Sequence, residues 1–144
     1  IALPVFDGAE PRSVAVVETA DYVLASTHLD YKGETANVSQ AEHINSWFEK
    51  EYSGSSKPVF LCGDMNCTPD GAAVGKLMEK WEMMSPLSAT YPSDSPESCI
   101  DYIFCLKSAQ VPQVLEKKVI SDSEGFKMSE LSDHLPVIVR VKCK

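Results

Sequence analysis

The sequence predicts an α/β domain built on a mixed or antiparallel sheet. Strand-like and helix-like patterns alternate in the first half of the chain, and strand-like runs dominate the second half. No internal repeat and no linker divides the sequence. A chain of 144 residues with 44% hydrophobic content buries roughly 68–70% of its unfolded surface, which is enough for a sizeable core.

The first half opens with a predicted β-hairpin. Residues 13–18 and 22–29 are rich in β-branched and apolar side chains, and residues 19–21 form a tight turn between them. A helix of about four turns is predicted from near Thr35 to the glycine and serine run at 53–56. Its apolar residues recur at steps of three and four: Val38, Ala41, Ile44, Phe48 and Tyr52.

The middle and end of the chain predict one more helix and four more strands. Residues 58–62 form a short apolar run, typical of a strand covered on both faces. A second helix is predicted over residues 72–81, because Val74, Leu77, Met78 and Trp81 share one helical face. The proline- and serine-rich segment 85–98 predicts a long surface loop. The remaining strands are predicted at 99–106, 114–120 and 135–141, with a polar loop at 121–132.

Composition limits the classes of function. Lys and Arg number 13 against 21 Asp and Glu, a formal net charge of −8, and no basic stripe is visible. This disfavours a protein that grips a nucleic-acid backbone but does not argue against small phosphate esters. No apolar stretch approaches the ~20 residues of a membrane span.

The five cysteines show no zinc-ligand spacing. Two of them, Cys62 and Cys105, lie within apolar runs. We therefore expect buried free thiols rather than disulfides.

Four short polar clusters, each next to or within an apolar run, carry the candidate chemistry. They occupy residues 26–30, 63–66, 100–102 and 132–134. If each run is a buried strand, the clusters meet at one rim of a sheet. Their polar side chains are His28, Asp30, Asp64, Asn66, Asp101, Asp133 and His134. Two imidazoles, an amide and several carboxylates favour a metal-assisted hydrolase over a structural module.

The pair Asp64 and Asn66 follows the predicted strand at 58–62 directly. In extended backbone the two side chains point the same way, so they can orient a water and hold a phosphate oxygen. The alternative is an Asx-turn that only caps the following loop.

The other three clusters also leave two interpretations open. Asp101 inside an apolar run needs a partner such as a histidine N–H, unless it faces water on a half-buried strand. Asp133 and His134 face opposite sides in a regular strand, and both reach a metal or phosphate only where the chain bends. His28 is either a phosphate donor or a structural residue at a strand end. Asp30 can organise the loop that follows it.

Taken in order, the strings THLD, GDMN, IDYIF and SDHLPV resemble the second half of the endonuclease/exonuclease/phosphatase superfamily, which includes pancreatic deoxyribonuclease and neutral sphingomyelinases. The blocks run from Thr27 to Val137. The resemblance implies a four-layer α/β sandwich, with mixed or antiparallel sheets flanked by helices. It also implies Mg²⁺-dependent (or Mn²⁺-dependent) hydrolysis of a phosphate ester.

The resemblance also implies roles for individual residues. Asp64 would orient or deprotonate the attacking water, and Asn66 would hold the scissile phosphate. His134 would stabilise the transition state, with Asp101 fixing its orientation. Asp133 and Asp64 would serve the metal site. His28 would bind the phosphate or assist the leaving group.

The sequence departs from the family pattern in two ways. The Asn and the metal-binding Glu of the family's first half do not occur, so we expect residues 1–144 to be the C-terminal portion of such a domain, weakly active or inactive alone. An Arg expected in the helix after the THLD block is also missing, because residues 34–37 read ETAN. An uncovered apolar sheet face would then favour self-association.

Three functions follow from these observations. The first is a metal-dependent phosphodiesterase or phosphatase, the second is a nuclease of the same superfamily, and the third is a non-catalytic binding domain. The acidic composition favours a phosphate-ester substrate over nucleic acid.

Overall fold

The computed structural model describes residues 1–6, 10–123 and 125–143. Strands and helices alternate through the first two thirds of the chain, followed by strands and one 3-10 turn. In chain order they are β1 Val14–Glu18, β2 Val23–His28, α1 Glu34–Tyr52, β3 Val59–Asp64, α2 Ala72–Met78, β4 Trp81–Met83, β5 Asp101–Leu106, β6 Gln113–Val119, β7 Asp122–Ser123, β8 Phe126–Lys127, the 3-10 turn Met128–Glu130 and β9 Val137–Lys142.

A five-stranded mixed sheet forms the centre of the molecule, in the order β1-β2-β3-β5-β4. The predicted hairpin is confirmed, because β1 pairs antiparallel with β2. Strand β2 pairs parallel with β3 across the connection that contains α1, and β5 runs antiparallel to β3 and β4. The α/β class with a mixed sheet is therefore confirmed.

The helices cover one face of this sheet. Alternate residues of β2 and β3, such as Ala25, Val59 and Leu61, have no exposed surface. They join the buried face of α1 in one core. Phe48 of α1 meets the ring of Trp81 edge to face, with ring centroids 5.2 Å apart. Burying these large side chains stabilises the fold by roughly 1.5–3 kcal/mol each.

A second, two-stranded sheet of β6 and β9 lies against the other face of the central sheet. Cys62 and Ile103 are register partners on that face. Together with Pro136 and Val137, where β9 begins, they line a cavity of about 410 Å³. The small sheet covers only part of this face. At the far edge of the central sheet, the register partners Val17 and Leu24 are 59% and 40% exposed.

Three details of the sequence-based prediction need correction. Helix α2 ends at Met78, and Trp81 begins strand β4 instead of closing the helix, because it pairs with Leu106 of β5. The segment 85–98 is not simply a surface loop, since Thr90 is fully buried. Within the predicted polar loop 121–132, a small hairpin and a 3-10 turn form, and Glu124 lies outside the described residues.

The cysteines of the described chain are free thiols, as expected. Cys105 is buried, and burial raises the pKa of its thiol to about 11. Cys62 is half-buried, and burial likewise raises its pKa. Among the described residues, no helix is both long enough and apolar enough to cross a membrane.

Candidate active site

The sheet topology brings three of the polar clusters to one rim. Parallel strands β2 and β3 both end there, and their last residues, His28 and Asp64, are register partners. Antiparallel β5 begins at the same rim, where Asp101 is the register partner of Asp64. Two strand ends and one strand start therefore place an imidazole and two carboxylates side by side.

Gly63 allows the close approach of the two parallel strands just before this rim. Its backbone has φ of +140°, in the range that favours glycine. A Cβ on Gly63 would lie 1.8 Å from the carbonyl oxygen of Thr27. No other residue fits this position without moving β2, and with it His28.

His134 reaches the rim from the bend that precedes β9. Its Nδ1 lies 2.7 Å from Oδ2 of Asp101. An ionised carboxylate only accepts, so Nδ1–H donates and Nε2 faces the cavity. Thr90 Oγ1 donates to the same Asp101 oxygen at 2.6 Å, and the ring of Tyr91 packs against the His134 ring at 4.8 Å. These contacts hold the imidazole in one orientation.

Asp64 lies between the two histidines. Its Oδ2 is 3.4 Å from His28 Nε2 and 3.9 Å from His134 Nε2. Burial raises the pKa of Asp64, which the Asn66 N–H hydrogen bond and the two imidazoles partly offset. A carboxyl group shifted upward in this way is better suited to accept a proton from water than an ordinary aspartate.

Asn66 forms the Asx-turn that was one of the two alternatives left open by the sequence. Its backbone N–H donates to Asp64 Oδ1 at 2.7 Å, which closes the Asx-turn. The backbone is not extended as the pattern required, because φ of Asn66 is 46°. Its amide nevertheless lines the cavity beside Asp64, held by a 2.9 Å hydrogen bond to the carbonyl of Leu29.

Two opposing effects act on His134. Burial disfavours the imidazolium, but the hydrogen bond to Asp101 and the charges of Asp101, Asp64 and Asp133 together outweigh it, so the pKa of His134 is raised. A raised pKa keeps more of the side chain cationic near neutral pH. Such an imidazolium can stabilise negative charge on a bound phosphoryl group.

One cavity of about 370 Å³ joins these residues. Of the seven side chains singled out from the sequence, Asp30 lies elsewhere and Asp101 lies behind His134. The other five line this cavity: His28, Asp64, Asn66, Asp133 and His134.

The sequence reasoning missed three residues that share this wall. They are Glu10, Arg12 and Tyr91. Arg12 lies before the first strand and pairs with Glu10 at 3.0 Å, and its buried Nε has no partner among the described residues. No motif spacing marks these positions, although a lone Arg next to a Pro before the hairpin was available as a signal.

The donor set at the rim fits a hard divalent cation. Asp64, Asp101 and His134 each offer a ligand atom, and these atoms lie within 4.8 Å of one another. Asp101 Oδ2, however, already accepts hydrogen bonds from Thr90 and His134. Asp133 and Glu10 line the same cavity and add two further carboxylates to its wall.

Comparison with known proteins supports the fold. No protein-family model and no curated protein sequence matches the chain. Among solved structures, a mannosyl-6-phosphatase of Bacteroides thetaiotaomicron superposes with a TM-score of 0.78 at 22% identity, covering 95% of this chain and 59% of that one. An endonuclease/exonuclease/phosphatase family protein of the same organism gives 0.73 at 22%, covering 94% and 57%.

A more distant match is sphingomyelinase C of Streptomyces griseocarneus, with a TM-score of 0.61 at 14% identity and coverage of 90% and 56%. The chain thus has the fold of the endonuclease/exonuclease/phosphatase family, and the resemblance in the four motifs is confirmed at this level. It spans between 56% and 59% of the length of these three structures.

Proposed function

We propose that this chain is the C-terminal portion of a Mg²⁺-dependent phosphoesterase that acts on a small phosphate ester. One observation carries the proposal: His134, oriented by Asp101, faces Asp64 at 3.9 Å in a cavity that also contains Arg12. General base, cationic stabiliser and guanidinium thus surround a space that a phosphoryl group can occupy.

In this proposal each side chain has a distinct task. Asp64 orients the attacking water and accepts its proton, since its raised pKa favours that transfer. Protonated His134 donates from Nε2 to a phosphoryl oxygen, while Asp101 acts as its positioning residue. The side chain of His28 is 55% exposed, so it can reach the leaving group.

Arg12 and Asn66 bind the remaining phosphoryl oxygens. Arg12 offers planar N–H donors that match an oxyanion. Asp133 and Asp64 would hold the metal, which would supply positive charge to neutralise the phosphoryl oxygens. The net charge of −8 favours a small ester over a nucleic-acid backbone.

A substrate panel tests this function. Hydrolysis of nitrophenyl phosphate, bis-nitrophenyl phosphate and plasmid DNA is compared with and without EDTA. We expect weak turnover of a nitrophenyl ester that EDTA abolishes and Asp64→Asn removes. Because turnover of the chain alone is expected to be low, phosphate binding is measured in parallel from the C2–H resonances of His28 and His134.

Inorganic phosphate with Mg²⁺ should shift both resonances but not that of exposed His43. Plasmid cleavage faster than ester hydrolysis would instead make the protein a nuclease. Absence of both hydrolysis and phosphate-induced shifts would refute the proposal.

A further inference from the structure

A second cavity, of about 300 Å³, lies on the other side of Asn66. It is enclosed by the loop after β2, the first turn of α1 and the segment between β3 and α2. Tyr31 and Asn66 line both this cavity and the candidate active site. Its own wall adds Asp30, Glu34, Asn37 and Thr68.

Asp30 is the unusual member of this wall. It is only 1% exposed. Its Oδ1 accepts the N–H of Lys32 at 2.7 Å, but its buried Oδ2 has no hydrogen-bond donor among the described residues. A buried carboxylate oxygen without a partner is destabilising, so this oxygen favours a cation or a hydrogen-bond donor from elsewhere.

The neighbouring amides do not supply that donor. Asn37 Nδ2 donates to the backbone carbonyls of Asp30 and Met65, at 2.9 and 2.8 Å. Gln40 accepts the N–H of Asp30 through Oε1 and donates its own amide hydrogen to Pro4. Both side chains on the α1 side are therefore committed to the backbone.

The remaining lining offers no cationic side chain that could neutralise Asp30. No Lys, Arg or His side chain occurs among the residues that line this cavity. Glu34 contributes a second carboxylate. The described hydrogen bonds of Asn37 and Asn66 use their Nδ2 atoms, which leaves both side-chain carbonyl oxygens as acceptors.

We propose that this cavity binds a hard divalent cation of the Ca²⁺ type, with Asp30 Oδ2 as the central ligand. Glu34 and the amide oxygens of Asn37 and Asn66 add oxygen ligands. Six to eight flexibly arranged oxygens suit Ca²⁺, whereas Mg²⁺ requires stricter octahedral geometry. The site is separate from the Asp64 cluster, yet through Asn66 its cation stabilises the loop that carries the active-site amide.

Calorimetric titration of the 144-residue chain with Ca²⁺ tests the proposal in two backgrounds. Asp64→Asn disables the rim cluster and should leave one Ca²⁺ site. Adding Asp30→Asn, which keeps the size and the Oδ1 acceptor, should weaken that site at least 10-fold. Glu34→Gln on the exposed first turn, which does not threaten folding, should weaken it less. Asp21→Asn in the exposed β1–β2 turn is the matched control and should change nothing.

A thermal melt gives an independent readout. Ca²⁺ should raise the Tm of the Asp64→Asn chain by mass action but not that of the double variant. Ca²⁺ binding that disappears in Asp64→Asn and persists in Asp30→Asn would overturn the second site. Ethylammonium serves as an organic cation for comparison. If it raises the Tm and Ca²⁺ does not, the proposal that the cavity binds a metal ion is wrong. Neither result depends on catalysis, so failure here is distinguishable from failure of the proposed phosphoesterase.

Discussion

The apolar core under the central sheet and the polar rim at its edge are held together in different ways. In the core, Phe48, Leu61 and Trp81 have no exposed surface and are held by close apolar packing. At the rim, Asp64, His28 and His134 are partly exposed and are linked by charges and hydrogen bonds. Stability therefore depends mainly on the core, and the proposed chemistry would depend on the rim.

This difference predicts that the two regions fail independently when they are mutated. A core substitution should lower stability before it alters chemistry. A rim substitution should do the reverse, because polar side chains at a half-exposed edge bury little apolar area.

The largest effect is expected for His134→Asn. Loss of an acid or oxyanion donor typically costs 10²–10⁴-fold in rate, so ester hydrolysis should fall to background. At a pH above the folded pKa of His134, where its charged form no longer adds stability, the melting temperature should change little, because Thr90 still donates to Asp101. Activity and Tm are measured in parallel on this variant. A large loss of Tm would contradict the claim that rim substitutions leave stability intact.

Phe48→Ala is the matching core variant. Removing a fully buried phenyl ring should destabilise the protein by about 3–5 kcal/mol, measured by urea unfolding. Since Phe48 contacts Trp81 and Tyr52 rather than the rim, any folded fraction should retain the phosphate-induced shift of His134. A variant with wild-type stability but no phosphate response would contradict this assignment.

Asp101→Asn sharpens the comparison inside the rim. It removes the hydrogen bond to a carboxylate and the charge that raise the pKa of His134, and leaves the opposing effect of burial. The pKa of His134 should therefore fall, as measured by titration of its C2–H resonance. An unaltered His134 pKa would remove Asp101 from its positioning role.

The raised pKa of His134 also makes the stability of the protein depend on pH. A folded pKa above the unfolded value contributes stability that is full below the unfolded pKa and is lost as pH rises through the folded pKa. Asp101→Asn should flatten this decline in Tm across that interval.

The smallest effect concerns the partly uncovered sheet face. Val17 and Leu24 are exposed register partners, and such apolar pairs favour association. Val17→Thr/Leu24→Thr places β-branched residues, which suit strands, at both positions and should shift the sedimentation profile modestly toward monomer. A wild-type chain that stays monomeric at high concentration would refute self-association through this face.

Much of the fold was predictable because the determining patterns are local. Apolar and β-branched runs identified β1, β2 and β3, and helical spacing identified α1, each within one or two residues. Trp81 was assigned wrongly because the step from Leu77 and Met78 fits a helix, whereas pairing with Leu106 and an indole hydrogen bond to Asn45 favour a strand. Short segments of this kind are decided by tertiary contacts.

The candidate site was predictable only in part. His28, Asp64, Asn66, Asp101, Asp133 and His134 are recognisable from motif strings. Arg12 and Tyr91 are not, because nothing in their local sequence indicates the cavity they line. The lone Oδ2 of Asp30 is equally invisible, since satisfaction of a buried oxygen depends on every neighbour around it.

The sequence by itself determined the order of strands and helices and the identity of the polar residues that follow them, because hydrophobic period and turn chemistry act over a few neighbouring residues. Only the tertiary structure decided which of these residues meet. Parallel pairing of β2 with β3 and the antiparallel return of β5 set His28, Asp64 and Asp101 side by side. Long-range packing also gave Asp101 Oδ2 two hydrogen-bond donors, while Asp30 Oδ2 has none among the described residues, although the two aspartates look alike in the chain.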